Sequence, residues 1–329
     1  MSFIITIPTE KKYSTRRFLA MTTEDFLPYL KLVGTGPKRN RDLTKEEIKT
    51  VIKAMLNDEV VPEQAAAFLL GWRVKGESIE EFAGALEIFD TFVRHDPRPE
   101  SIEFGYPYDG KVKNPYLFPL TAKYLEPFGV EFSLHGGLLQ PAKGGVTLKE
   151  VCDAIPLPSN IRYYDRCEYF PELYRFSTLR TKLGLRSSFN TIEKLLGITQ
   201  SRTAIIGAFH KPFVEKYIAL YKDRYEKLVI IKGNEGTPEI FGKCTIWIVE
   251  NGEIEEIKVD PKVYGIDYVK SAKPIMLAES LRKTNEPAEV FKELAKFNAA
   301  VILWLYGKAE DIEEGLLHLS KPQQVRLPS

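Results

Sequence analysis

The sequence predicts an α/β protein in two parts: a small all-helical N-terminal lobe, then a larger α/β lobe built on a mostly parallel sheet. Three observations predict it. Helix-start signals and helical apolar spacing fill the first hundred residues. Beyond Pro97–Pro99, short β-rich runs alternate with helical ones, the pattern of a sheet covered by helices. The length, 329 residues, suits two domains, expected at 1–97 and 98–329.

The elements follow in order. Thr44 with Glu47 three residues later forms a capping box, and Ile48, Val51, Ile52 and Met55 follow at helical spacing. Pro62 starts a second helix, with Ala65, Ala66, Phe68, Leu69 and Trp72 on its packed side. Ser78 and Glu81 form another capping box before Phe82, Leu86 and Phe89. In the larger lobe, 129–134 reads as a strand entering the turn at His135-Gly136-Gly137, and 203–207 as a buried strand followed by a helix. Residues 228–231 give another strand, and 244–249 with 254–259 flank Asn251-Gly252, a hairpin turn signal. The chain closes on helices from Ala288 to Leu319, and helices from about 170–195 are expected to pack back on the small lobe.

Composition excludes some classes of function. Hydrophobic residues make up 44% and charged residues 28%, with net charge +1, so any nucleic-acid or membrane site must be a local patch. Cys152, Cys167 and Cys244 lack metal-ligand spacing and read as buried thiols in a reducing compartment. No apolar run is long enough for a membrane helix, and Met1–Pro8 is too short for a signal sequence, so a cytoplasmic location is expected. Gly34-Thr35-Gly36 has the look of a phosphate loop, but it follows a helical run rather than a strand, so a helix linker is expected.

A resemblance to a known family rests on an ordered set of segments. These are Leu43-Thr44-x-Glu46-Glu47, Gln64-Ala65-Ala66-Ala67-Phe68-Leu69, Lys75-Gly76-Glu77-Ser78, His135-Gly136, the run 179–190, Gly207-Ala208-Phe209-His210, Gly233-x-Glu235-Gly236, Asn298-Ala299-Ala300 and Gly307-Lys308-Ala309. Together they resemble the anthranilate phosphoribosyltransferases of glycosyltransferase family 3, with the nucleoside phosphorylase type of fold. The departures matter as much. Where the family has a Gly-Thr-Gly-Gly-Asp loop and an Asn-x-Ser-Thr turn around a diphosphate, this chain has Tyr108-Asp109-Gly110-Lys111-Val112-Lys113-Asn114-Pro115 and Tyr116-Leu117-Phe118-Pro119. The family's Lys-His-Gly-Asn-Arg is Leu134-His135-Gly136-Gly137-Leu138, and its magnesium-holding Asp-Glu pair is Pro238-Glu239. Pyrophosphate departure needs metal and fixed donors to absorb charge, so these losses argue against efficient transfer.

The resemblance therefore implies a non-biosynthetic, anthranilate phosphoribosyltransferase-like branch: a homodimer through the helical lobes that binds nucleic acid without sequence preference. The expected polyanion site is Lys111, Lys113, Lys143, Arg180, Lys182, Arg186 and Lys194, in a former substrate cleft marked by Asp109, Gly110, Asn114, His135 and Gly136. Upstream, Arg162, Arg166 and Arg175 interleave with Tyr163, Tyr164, Tyr169, Phe170, Tyr174 and Phe176; cations and stacking aromatics together suit single strands, although lobe–lobe core is the plainer reading of each residue. No catalytic residue and no cofactor is assigned. The alternative is a phosphoribosyl- or glycosyltransferase with another acceptor, for which Arg180 would contact the acceptor and Glu235 and Glu239 would hold one magnesium ion.

Overall fold

The computed structural model describes residues 21–321. The small lobe is four helices: α1 (Thr23–Gly34), α2 (Lys45–Leu56), α3 (Pro62–Lys75) and α4 (Ile79–Phe92). Both expected capping boxes form, Thr44 with Glu47 and Ser78 with Glu81. Glu81 does more than cap: its buried carboxylate also accepts from Leu43 N at 2.9 Å and Trp72 Nε1 at 3.0 Å, tying α4 to α3 and to the segment that leads into α2. Gly34-Thr35-Gly36 is the end of α1 and its exit turn, fastened by Thr35 N donating to Asn40 Oδ1 at 2.9 Å.

The strands are β1 (Ile102–Gly105), β2 (Phe132–Gly136), β3 (Ile161–Asp165), β4 (Thr203–Ala208), β5 (Lys227–Lys232), β6 (Cys244–Glu250) and β7 (Glu253–Val259). They form one sheet in the order β3-β2-β1-β4-β5-β6-β7; the first five run parallel, and β6 and β7 add antiparallel at one edge. Between the strands and after them run α5 (Phe118–Leu125), α6 (Leu148–Ala154), α7 (Arg166–Tyr169), α8 (Pro171–Tyr174), α9 (Phe176–Leu183), α10 (Phe189–Ile192), α11 (Lys211–Tyr221), α12 (Leu277–Asn285), α13 (Glu289–Leu305) and α14 (Ile312–Ser320). The second strand starts later than expected, at Phe132, because Gly129 adopts φ +65° to close a short 3-10 turn. The edge strand β7 is largely exposed and carries Glu253, Glu255 and Glu256, charges that discourage pairing with another sheet.

Alternation along the central strands divides the core in two. Ala204, Ile206, Leu228 and Ile230 join the small lobe in one apolar cluster, together with Phe170, Leu173, Phe176 and Phe189 from α8–α10 and their approaches. Phe89 of α4 meets Phe170 and Phe189 edge-on, with ring centres 5.2 and 5.4 Å away. Ile205, Val229 and Ile231 face the other way, onto α13 and α5. Strand order reverses between β1 and β4, so the loops leaving their C-terminal ends diverge. In an open α/β sheet this is where a crevice forms.

Candidate anion-binding cleft

The crevice lies where that topology puts it. Its inner cavity, about 220 Å³, is lined by Tyr108 and Asp109 after β1, Phe209 and His210 after β4, Gly236 after β5, and side chains from α3 and α11. A wider recess of about 660 Å³ adjoins it, bounded by Val112, Lys113, Asn114, Asn234 and Glu235.

Two backbone cradles border this space, and each holds a carboxylate of the chain itself. Glu235 Oε1 accepts from Lys113 N at 3.0 Å, Asn114 N at 3.0 Å and Asn114 Nδ2 at 2.9 Å. Its Oε2 accepts from Val112 N at 2.5 Å and Lys113 N at 3.2 Å. Successive amides converging on one point form an anion nest. Burial pushes the Glu235 carboxyl up, but the Val112 amide, the Lys111 ammonium and the Lys113 amide outweigh it and hold the group below the ordinary glutamate range. Glu235 reaches the nest from a tight turn in which Asn234, Glu235 and Gly236 all have positive φ, 43°, 65° and 74°. Beneath the turn, Gly207 is obligatory, since a Cβ there would collide with the backbone of Gly236 and Thr237.

The second cradle is the N-terminus of α5, which has no side-chain cap of its own. Glu239 Oε1 accepts from Leu117 N at 2.7 Å and Phe118 N at 2.8 Å, supplying the anion that a helix start favours. Its other oxygen pairs with the Lys111 ammonium, which also donates to Pro115 O at 2.6 Å. Aromatic rings of Phe241 and Tyr116 lie 4.3 and 4.9 Å from that ammonium. A carboxylate offers about four lone-pair positions. Those of Glu235 are all taken by N–H donors, and both oxygens of Glu239 are engaged, so the pair does not fit an oxygen-ligated magnesium site as placed.

The expected polyanion set is not brought together. Lys111 is fully buried on Glu239. Arg180 is buried too: its guanidinium forks onto Glu193 with two bonds of 2.7 Å, and Arg166 pairs with the same carboxylate. Burial pushes the Glu193 carboxyl up, and the two arginines more than reverse it. Lys182 lies two residues beyond Arg180, roughly 200° further round the helix. It lines a separate groove between α9 and α3. Lys113 reaches out to Ala272 O at 2.6 Å, at the recess. Only Lys143, Arg186 and Lys194 meet at the inner cavity.

There Asp109 accepts from Arg186 at 2.5 Å and faces Lys143 at 3.1 Å. Gly110 follows with φ +75° and has no room for a side chain, because the loop is pinned by paired backbone bonds of 2.8 Å between Lys111 and Val146. Asn114 is used on Glu235, as above. His135 and Gly136 lie beneath the cleft rather than in it. The His135 ring is buried, with Tyr108 Oη 2.7 Å from Nδ1, and burial followed by Arg166 pushes its pKa down to about 3. The interleaved 162–176 segment is mostly lobe core: Tyr169, Phe170 and Phe176 are buried, and Arg175 donates to Leu56 O at 2.5 Å.

Sequence reasoning missed Arg73 of α3, Tyr217 of α11 and Glu193. Arg73 lines the cavity while its Nη1 donates to Glu77 at 3.0 Å, one turn on. That i,i+4 pair was the available signal. Phe209, 58% exposed at the cleft, appeared in the sequence only as part of a family motif.

With the geometry in hand, comparison with known proteins gives the class. The chain belongs to the Glycosyl transferase family: residues 27–91 match its helical bundle domain and residues 166–323 its a/b domain. An uncharacterized protein of Aquifex aeolicus is 33% identical over 289 residues, 85% of this chain and 93% of that one. The anthranilate phosphoribosyltransferase of Xanthobacter autotrophicus is 24% identical over 314 residues, 89% and 90% of the two chains. Among solved structures, anthranilate phosphoribosyltransferase from Saccharomyces cerevisiae in complex with PRPP and Mg superposes with a TM-score of 0.71 at 15% identity, covering 91% of this chain and 93% of that one. At that identity the likeness shows the fold. No helix among the described residues is long and apolar enough to cross a membrane.

Proposed function

We propose that this chain is a family member that does not transfer from phosphoribosyl diphosphate, and that it uses the cleft to bind single-stranded nucleic acid as a homodimer through its helical lobes. One observation carries the reading. The nest at 112–114 is filled by Glu235, and the α5 N-terminus by Glu239, so a diphosphate arriving there would meet two negative charges rather than two vacant cradles. Ejecting both carboxylates would break at least six N–H···O hydrogen bonds before any substrate contact forms.

What is left for a polyanion is the inner rim. Arg186 is exposed, Lys143 half-exposed, Lys113 lies on the neighbouring recess, and Phe209 offers a face for a base. Phosphate contacts of this kind carry no sequence information, and stacking tolerates any base. The test is fluorescence anisotropy of a labelled single-stranded oligonucleotide titrated across salt. Wild-type protein should bind with an affinity that falls steeply with salt, and Lys143→Glu with Arg186→Glu should weaken binding by roughly tenfold or more while reducing the salt slope by about two. A folded double variant with unchanged affinity would remove the cleft from the proposal, and absence of binding at low salt would remove nucleic acid altogether.

A further inference from the structure

Of the two buried lysines among the described residues, Lys111 is paired with Glu239 and Lys194 with no carboxylate. Lys194 is 4% exposed, yet it has no acidic partner within ion-pair distance among the described residues. Its amine donates to Gly207 O and, at 3.0 Å, to Gly236 O, with the Tyr217 ring centre 5.4 Å away. A neutral amine has two N–H groups, and both are used. An ammonium has three, and among the described residues the third has no acceptor.

The groups around Lys194 come from every side of the cavity. Asp109 faces it from the loop after β1, but is shared between Lys143 and Arg186. Glu193 next door is spent on Arg166 and Arg180. Arg73 comes from α3 and Tyr217 from α11; His210 and Glu235 line the loops after β4 and β5. Burial and then Lys143 push the Lys194 pKa down to about 7, against the pull of Asp109. Arg186 makes one hydrogen bond among the described residues, which leaves most of its fork unused. With Lys143, Arg186 and Lys194 set against Asp109 and Glu235, whose carboxylate is held by the 112–114 amides, the cavity has positive charge to spare when the lysine is protonated.

We propose that this cavity binds one tetrahedral dianion, a phosphate monoester, whose capture loads a proton onto Lys194. The anion supplies the acceptor that the third N–H lacks and the counter-charge that burial denies it. A backbone phosphodiester, with a single charge, matches less well. Tyr108, Phe213 and Tyr217 wall the space for an organic group. The proposal rests on the reading that Glu235 and Glu239 occupy the outer cradles, which leaves the inner cavity as the receptive place. The monoester has two sources, a free small molecule or the terminal phosphate of a polynucleotide.

The probe is inorganic sulfate, a dianion throughout the working range, titrated calorimetrically from about pH 6 to about pH 9 in buffers of different ionisation enthalpy. Affinity should hold below about pH 7 and then fall by up to about tenfold per pH unit, with uptake approaching about one proton per sulfate. Lys194→Met, checked for folding by circular dichroism, should bind roughly tenfold or more weakly, with neither slope nor uptake, whereas Lys194→Arg should bind without the slope. Wild-type binding without proton uptake, no sulfate binding, or a Lys194→Met titration identical to wild type would overturn the proposal.

Oligonucleotides with and without a 5′-phosphate then separate the sources. Preference for the phosphorylated end assigns the polynucleotide; equal affinity, with a nucleoside monophosphate displacing sulfate, assigns the free ligand. Sulfate binding without oligonucleotide binding would overturn the nucleic-acid reading and leave this one standing. Oligonucleotide binding without sulfate binding would do the reverse.

Discussion

Glu235 shows how much of a loop a single side chain can hold. Its five hydrogen bonds all come from the loop 112–114, more than 120 positions earlier in the chain. Removing the carboxylate in Glu235→Ala leaves those amides without a protein acceptor, and the expected loss is about 2 kcal/mol, the order for stranding a part-buried donor set that water can reach. The pH dependence follows from direction. A carboxyl held below its ordinary value stabilises the fold fully above the unfolded glutamate range, and that contribution is lost as pH falls through the folded value. His135 adds to the same trend, because its folded pKa of about 3 lies below the ordinary histidine value of 6.5; the unfolded chain takes up that proton first as pH falls between them. Urea unfolding from about pH 7 to about pH 3 should therefore show falling stability, with Glu235→Gln less stable at neutral pH but less acid-sensitive. An identical pH profile in Glu235→Gln would show that the nest does not depend on the charge.

At the scale of elements, the sequence was most legible where a local rule suffices. The capping boxes at Thr44 and Ser78 need only four residues each, and the hairpin at Asn251-Gly252 only its turn, so all three formed as expected. The fold class was legible for the same reason, through strands alternating with helices. The site was not, because its charges are settled by partners far apart in sequence. Lys111 finds Glu239 across 128 positions, and Arg166 finds Glu193 across 27. A run of lysines and arginines reads as a patch until its acids are placed. Helical phase was the part within reach: Arg180 and Lys182 sit two apart on α9 and cannot share a face. The Glu81 contacts separate local from long-range effects within one element. Ser78→Ala should cost about 1 kcal/mol, a cap alone. Glu81→Ala should cost about 2–4 kcal/mol, since it also leaves the Leu43 and Trp72 donors without an acceptor, whereas Lys75 keeps Asp42 and Gly76 O. Equal losses in chemical denaturation would mean that Glu81 acts only as a cap.

For the whole molecule, the fold sets a crevice at the strand-order reversal, and the chain's own carboxylates lie in its outer cradles. Helices α8–α10 join both lobes into one apolar cluster, so the loops after β1, β4 and β5 are held against α3 and α11 around a fixed cavity. Within that frame Glu235 and Glu239 occupy the two outer cradles, and Lys143, Arg186 and Lys194 gather at the inner cavity. The direct check is calorimetric titration of phosphoribosyl diphosphate into the full chain, once with magnesium and once with a chelator. With the cradles filled by Glu235 and Glu239, the expected result is that magnesium makes no difference: any heat comes from a phosphate entering the inner cavity and is the same in both runs. Tight binding that appears only with magnesium would contradict this, because it would require both carboxylates to leave their amides and turn to the metal.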